Sequence, residues 1–258
     1  MRKLSVVSSN IRYDEPDDDE FRWENRRDLL SRILLDADPD LVATQEGRRP
    51  QLRDIATRIS SLVCVDAHRD WLDTLMYPCL FYNPTSLTLR ESGDIWLSRS
   101  PDIAGSLSFG SMFPRLCTWA RFDQGVLAIN VHLDNSSSET RLQQSRVLVE
   151  QTKALKRANE SVLLMGDFNE SPQGPVRTLL DELLPELADP WHQLGQQEEA
   201  SHHNFGEPID YGSRIDWILV SNALKVESMF LDRAQSEHGI YPSDHYPLKA
   251  VFDIQSSD

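Results

Sequence analysis

Six short stretches set metal-binding, proton-moving or hydrogen-bonding residues at the edge of an apolar run. "SVVSSN" ends at Asn10, "DLVATQE" at Glu46, "LAINVH" at His132, and "VLLMGDFN" at Asp167 and Asn169. "RIDWILVS" opens with Asp216, and "PSDHYPL" places Asp244 and His245 just before the last apolar run. Taken singly, an Asp after a strand is a turn former or helix cap, and a His in an apolar strand is a satisfied core residue. Together they supply carboxylates, two imidazoles and two amides, the parts of a catalytic centre. The ends of strands are where open α/β sheets carry their sites. Gly166-Asp167-Phe168-Asn169 therefore reads as both a turn and a centre of chemistry, with Phe168 turned into the core.

The elements that must position these residues alternate along the chain. "KLSVVSSN" reads as a strand, and "RWENRRDLLSRILLDADPD" as a helix with Leu30, Ile33 and Leu34 at the 3.6 period and Pro39 as its stop. "PQLRDIATRISSL" is a second helix, with Leu52, Ile55, Ile59 and Leu62 on one face. "PCLFYNPTSLTLRESGDIWLS" and "LCTWARFDQGVLAINVHLD", broken at Asn-Pro, Ser-Gly and Gln-Gly, read as β-hairpins. "SETRLQQSRVLVEQTKALKRA" is a long amphipathic helix whose acidic start and basic end suit the macrodipole. A strand at 161–166, a short helix near 175–184, the strand "RIDWILVS" and a strand pair near 224–231 and 247–254 complete the chain. Mixed strands with both kinds of connection fit two packed sheets flanked by helices.

Composition bounds the class. The chain has 258 residues, 40% hydrophobic and 26% charged, with no repeat, linker or low-complexity tract, which fits one domain over 1–258. A net charge of -15 argues against tight, indiscriminate binding to nucleic acid or acidic membranes, but leaves room for a nucleic-acid substrate held by a cation and a few arginines. Cys64, Cys79 and Cys117 lie far apart in sequence without a CxxC, which disfavours a thiolate metal site and suits a reducing compartment. The first apolar run, Leu4 to Val7, is too short for a signal-peptide core, and no stretch approaches a membrane span. A cytoplasmic protein is the expectation. The charge run "DEPDDDE" (14–20) reads as a solvated loop, because the Gly and distal Glu of a calcium loop are missing.

The motifs "SSNIRY", "DPDLVATQEG", "INVHLD", "MGDFNESP", "RIDWILVS" and "YPSDHYPL", in this order over residues 5 to 248, resemble those of the endonuclease/exonuclease/phosphatase superfamily. That superfamily includes deoxyribonucleases, abasic-site endonucleases, deadenylases, tyrosyl-DNA phosphodiesterases, inositol-polyphosphate phosphatases and sphingomyelinases. "NIRYDEP", "RWENR" and "FPRLCTWARF" are similar to a small bacterial branch. The resemblance implies an α/β fold, a four-layer αββα sandwich, and hydrolysis of phosphoesters with a divalent cation, Mg²⁺ ordinarily and Mn²⁺ as an alternative. It implies that Glu46 is the principal metal ligand, with Asp244 a second carboxylate and Asn10 an amide beside the ion. Asp167 orients or deprotonates the attacking water and Asn169 bonds the phosphate. His245 is the catalytic imidazole with Asp216 as its partner, and His132 is a second imidazole near the scissile phosphate.

Such chemistry needs these residue types. Phosphate-ester hydrolysis is among the slowest uncatalysed reactions. Mg²⁺ prefers oxygen ligands and keeps waters, so one or two carboxylates suffice. An Asp–His pair fixes the tautomer and favours the imidazolium. Clustered without a cation, Glu46, Asp167 and Asp244 are expected to repel and to raise one another's pKa. In the deoxyribonuclease-like members a Glu orients the first imidazole; here "DTLMYPCLFY" offers Leu75 and Met76, with Asp73 the nearest acid.

Arg12, Arg48 and Arg115, with Arg49 a weaker candidate, lie close to the motifs and suit bidentate phosphate binding. Trp71, Trp119 and Phe205 suit base stacking, although core positions are the ordinary reading. His202 and His203 sit in a polar stretch and read as surface residues, since no third zinc ligand is spaced for them. A phosphodiesterase or nuclease is the first expectation. A phosphatase or phosphodiesterase on a small phosphorylated metabolite or lipid head group is the alternative, and a non-catalytic binding module is the remote one. The expected partner is a phosphoester, with no membrane span and no protein partner inferred.

Overall fold

The computed structural model describes residues 2–206, 212–221 and 223–254. Its strands are β1 (Arg2–Asn10), β2 (Leu41–Gly47), β3 (Val63–Cys64), β4 (Tyr77–Tyr82), β5 (Leu89–Trp96), β6 (Leu116–Phe122), β7 (Val126–His132), β8 (Ser161–Asp167), β9 (Leu187–Ala188), β10 (Asp216–Ser221), β11 (Leu224–Leu231) and β12 (Leu248–Ile254). Its helices are α1 (Trp23–Asp36), α2 (Arg49–Arg58), α3 (Ser138–Leu155), α4 (Pro175–Leu183) and α5 (Pro190–Gln193). One six-stranded sheet runs β11-β12-β1-β2-β4-β3 and the other β5-β6-β7-β8-β10-β9. Both mix parallel and antiparallel pairs: β1 with β2 and β7 with β8 are parallel.

Side-chain alternation assigns the layers. Along β1, Leu4 and Val6 join the core between the sheets, while Val7 joins the core beneath α1 and α2. Along β8, Leu163 and Met165 face the inter-sheet core, while Val162 and Leu164 face the core under α3 and α4. The result is a four-layer αββα sandwich in which nearly every central strand is buried on both faces, as its unbroken apolar runs require. Pro39 and the left-handed Asp38 (φ 41°) end α1, and Ser137 caps α3 by accepting a bond from the Thr140 amide at 3.3 Å. Among the described residues no helix is long and apolar enough to cross a membrane.

Two sequence expectations give way. "PCLFYNPTSLTLRESGDIWLS" is not a hairpin: β4 lies in one sheet and β5 on the edge of the other. Asn83 turns the chain there, and Leu87, buried between the sheets, carries it across. A turn signal marks where a strand ends but not which strand comes next to it. The other hairpin, β6–β7, forms around Gly125 (φ 71°). The acidic run is also more than a solvated loop. Pro16–Phe21 winds into a 3-10 turn, Asp14 accepts from the Trp23 amide at 3.2 Å, and Asp18 takes both Nε and Nη2 of Arg12, at 3.1 and 3.0 Å.

Gly166 shows why the turn after β8 starts with glycine. Its φ is 136°, and a Cβ there would sit 2.0 Å from the Val131 carbonyl oxygen on the neighbouring strand. Gly166→Ala is therefore expected to cost about 2–5 kcal/mol from backbone strain and overpacking together. Urea unfolding measures it; a loss below about 1 kcal/mol, within the range of an ordinary point change, would contradict the close approach.

Candidate active site

Parity delivers most of the site. Asn10, His132, Asp167 and Asp216 carry the same alternation as the inter-sheet residues Val6, Ala128, Met165 and Ile218, one step beyond the apolar interior. They emerge between the two sheets at one edge of the sandwich. Glu46 has the opposite parity and would face the helices. A β-bulge between Thr44 and Gly47, with Glu46 held at φ 65°, turns it to the same edge instead. Arg12 (φ 52°) and Asn169 (φ 51°) are also left-handed, so three residues of this edge hold a backbone that non-glycine residues rarely adopt.

Glu46, His132, Asp167, Asn169, Asp244 and His245 line one pocket of about 260 Å³, with Arg12 and Arg115 on its walls. Asn10 and Asp216, both buried, stand directly behind it. Asn10 Nδ2 donates to Glu46 Oε1 at 3.2 Å and to Asp167 Oδ2 at 3.0 Å, so one amide gathers two carboxylates. Asp167 Oδ1 accepts from the Asn169 amide at 2.8 Å, and Asn169 Nδ2 donates to the Leu133 carbonyl at 3.0 Å. His245 Nδ1 donates to Asp216 Oδ2 at 2.8 Å, which aims Nε2 at the pocket, 4.0 Å from Asp167 Oδ2. His132 Nε2 lies 3.6 Å from the same oxygen. Phe168 points away and stacks on Trp217 at 4.2 Å.

Burial sets the charges. It raises the Asp167 carboxyl to about 7, helped by the Asp216 carboxylate and opposed by His245 and the Asn169 and Asn10 amides. On His245 burial acts downward, but the charge and hydrogen bond of Asp216, with Asp244 and Asp167, overcome it and lift the imidazole to about 10. Asp244 departs from the expected mutual rise: burial pushes it up, yet His245, Arg12 and His202 outweigh that and hold it below the usual range. His132 is driven well below its ordinary value by burial, then by Arg115 and His245. At neutral pH the pocket thus presents a neutral His132, an imidazolium at His245 and a carboxyl at Asp167 poised near half-titration.

Among the described residues four groups have ligand atoms close enough to hold an ion: Glu46, His132 and Asp167; His202, Asp244 and His245; Asp167, Asp216 and His245; and, outside the pocket lining, Asp189, His192 and Glu198. The donors at Glu46, Asp167 and Asp244 are carboxylate oxygens, which fits a hard divalent cation. Asp244 does not gather with Glu46; it lies 3.8 Å from Arg12 Nη1. Arg12 covers one side of Tyr13, 4.5 Å from the ring centroid, and Arg48 approaches the same ring at 5.0 Å. Arg49 faces Asp73 and Trp71, away from the pocket.

His202 and His203 are not surface residues. A β-bridge joins His202 to His245, their rings are 4.7 Å apart, and His202 lines the pocket, while His203 is buried against Tyr241 and Tyr246. Neighbouring loops that converge only in the fold left no sequence spacing to read. Trp71 and Trp119 pack against the two outer cores, and Phe205 stacks on Phe21 at 4.3 Å. Cys64 and Cys79 bring their sulfurs to 3.3 Å on adjacent strands, and both are free thiols.

Sequence reading missed the residues that brace the pocket. Arg26, fully buried, donates to the carbonyls of Phe21, Ile11, Pro242, Arg12 and Tyr13, tying the loop after β1 to the segment before Asp244. Ser201 Oγ donates to Asp216 Oδ2 at 2.6 Å beside the His245 bond. Arg214, also fully buried, pairs with Asp189 at 2.8 Å and Glu198 at 2.7 Å just before Asp216. Asn135 accepts from Arg115 Nη2 at 3.1 Å. Only Arg26 and Arg214 left a trace, as arginines inside apolar-flanked motifs.

The chain resembles solved structures over almost its whole length. A Bacteroides thetaiotaomicron mannosyl-6-phosphatase superposes with a TM-score of 0.85 at 27% identity, covering 97% of this chain and 100% of that one. An endonuclease/exonuclease/phosphatase from Bacteroides vulgatus gives a TM-score of 0.89 at 24% identity over 99% and 100% of the two chains. D. rerio TDP2 complexed with a single-strand DNA product gives 0.75 at 22% identity over 98% and 100%. In sequence, a protein of Acanthamoeba polyphaga mimivirus is 26% identical over 209 residues, 72% of this chain and 76% of its own length. The sequence model of the Endonuclease/Exonuclease/phosphatase family matches residues 7–245, a span that contains every pocket residue described above, and the chain belongs to that family.

Proposed function

We propose that the protein is a divalent-metal-dependent phosphoesterase, acting as one domain, with Mg²⁺ its cation and Mn²⁺ able to replace it. The carrying observation is the linked set Asp216–His245–Asp167–Asn10–Glu46, joined or nearly joined through hydrogen-bonding atoms around one pocket. Glu46, with Asn10 beside it, would hold the ion, and Asp244 would supply a second carboxylate in the same pocket. Bound there, the cation supplies charge neutralisation at a non-bridging phosphoryl oxygen.

The chain's own residues do the rest. Asp167, its Oδ1 fixed by the Asn169 amide and its Oδ2 facing both imidazoles, accepts a proton from an attacking water. His245, kept cationic by Asp216, presents Nε2–H to the phosphoryl oxygens as charge accumulates on them. Asn169, its backbone amide bonded to Asp167 and its Nδ2 to the Leu133 carbonyl, lines the pocket and would fix the phosphate with the remaining Nδ2 hydrogen. Arg12, Arg48 and Arg115 contribute substrate charge recognition, and His132 serves as a neutral hydrogen-bonding group at the phosphoryl edge.

Phosphodiesters, including nucleic-acid ends, are one substrate class. The second is a small phosphorylated metabolite, favoured by a cavity of about 400 Å³ beside the pocket and by the solved mannosyl-6-phosphatase at 27% identity. A cytoplasmic setting suits either. The test is hydrolysis with Mg²⁺ or Mn²⁺ across p-nitrophenyl esters, nicked and single-stranded DNA, RNA and phosphorylated sugars. Metal-dependent turnover of at least one class is expected and EDTA should stop it. Inactivity on all of them would leave a binding module as the better account.

A further inference from the structure

Arg115 is the anomaly of the pocket. It precedes β6, is 7% exposed, and borders both the 260 Å³ pocket and the 400 Å³ cavity. Among the described residues no carboxylate forms an ion pair with it, although the chain carries 41 acidic residues against 26 basic ones. Its hydrogen bonds go to neutral groups. Nη2 donates to Asn135 Oδ1 at 3.1 Å, and Nε is buried with no partner. Nη1 lies 3.0 Å from His132 Nδ1 and 3.1 Å from Nε2. A nitrogen equidistant from both ring nitrogens at that range cannot lie in the imidazole plane without overlapping Cε1. The guanidinium therefore rests over the ring face and leaves N–H directions unused. Glu46, Asp167 and Asp134 attract this charge without pairing with it directly; a buried charge without a direct partner is costly, so this one suits an anion that arrives from outside.

Which anion follows from the surroundings. The reaction pocket adjoins a second cavity, and the two share Arg12, Glu46, Arg115, His132 and Asn135. A phosphodiester carries two ester substituents on phosphorus and a monoester one; the cavity that shares Arg115 with the pocket takes one of them. Its remaining wall includes Leu75, Met76, Pro78 and Phe113, which suits the carbon skeleton of a leaving group. A monoester dianion also brings an additional charged oxygen for the spare N–H groups, where a diester, a monoanion, has an ester oxygen in its place.

We propose that Arg115 is a specificity-determining residue that selects a terminal phosphoryl group, a phosphomonoester dianion, over a phosphodiester, with the single leaving group housed in the adjoining cavity. The proposal rests on the phosphoesterase reading and narrows its substrate class.

The test uses p-nitrophenyl phosphate and its methyl ester, which share a leaving group and differ in one anionic oxygen. With Mg²⁺, the wild-type protein should favour the monoester in kcat/KM. Arg115→Met should lower monoester kcat/KM by roughly 10- to 100-fold, the range of a hydrogen bond to a charged group, and lower the diester less, so that the monoester-to-diester ratio falls. Inorganic phosphate should raise the melting temperature of the wild type and not of Arg115→Met. A wild-type preference for the diester, or an equal loss on both esters, overturns the proposal while the phosphoesterase reading survives. If neither ester is hydrolysed, the phosphoesterase reading rests on the wider substrate panel and the phosphate shift alone decides whether Arg115 binds a phosphoryl dianion. Should Arg115→Met not fold, Asn135→Ala, which frees the guanidinium from its tether, must lower the monoester-to-diester ratio; an unchanged ratio counts against the proposal.

Discussion

Glu46→Gln is expected to lower metal-dependent kcat/KM by at least about 10³-fold, since it removes the carboxylate that would hold the cation at the developing phosphoryl charge. The change is nearly isosteric. Glu46 Oε1 accepts from Asn10 and Oε2 from the Tyr13 amide, both at 3.2 Å, so the amide loses one of the two bonds and keeps the shape. A small drop in melting temperature is expected, and circular dichroism should match the wild type. A second readout separates metal binding from chemistry. Millimolar Mg²⁺ should raise the wild-type melting temperature, because a ligand that binds only the folded state stabilises it. That rise should vanish in Glu46→Gln. A variant that keeps most of its activity and its Mg²⁺ response would remove Glu46 from the metal site.

Asp216→Asn and His245→Gln should each lower kcat/KM by about 10³- to 10⁴-fold, the range seen when an Asp–His unit loses its orienting or acting member. The double variant should be little worse than the weaker single one, as coupled groups behave; additive losses would refute a shared role. The same pair makes a pH prediction with a definite sign. His245 rises from 6.5 in the unfolded chain to about 10 in the fold, so the folded state holds its proton more tightly. The resulting stability is complete below about pH 6.5 and is lost as pH climbs through about 10. Asp167, raised from 3.8 to about 7, loses stability in the same direction but in the lower window between those values. In EDTA, unfolding free energy should therefore fall between pH 7 and pH 10 by a few kcal/mol, since each tenfold gain in proton affinity on folding is worth about 1.4 kcal/mol. His245→Gln should flatten that limb, and a slope unchanged by the substitution would show that the proton is held elsewhere.

Much of this molecule is written locally. Side chains alternate along β1, β7, β8 and β10, so residues of one parity share a face, and polar residues at the ends of those apolar runs fall at the rim. Asn10, His132, Asp167 and Asp216 are legible for that reason, and Gly166 marks the tight passage between Val131 and Asp167. The helices α1 to α4 are legible from their 3.6-residue periods, which need only neighbours three and four positions away.

What the sequence did not reveal depends on partners far along the chain. Alternation says that β4 and β5 are buried but not that they belong to different sheets. The bulge that turns Glu46 from the helix side to the pocket is a property of its pairing with β4, not of "TQEG". Arg26 meets Pro242 across 216 positions, and Ser201 and His202 join the pocket because a bridge pins their loop beside His245. Arg115 shows the difference most clearly: as a letter in "FPRLCTW" it is one arginine among many, and only packing strips it of water and leaves it, among the described residues, with no carboxylate in an ion pair. Local sequence thus determines which groups are offered at the edge of the sandwich. Tertiary structure decides which of them are buried together, and burial, through desolvation and the charges it leaves unpaired, converts a list of polar residues into a site with a chemical preference.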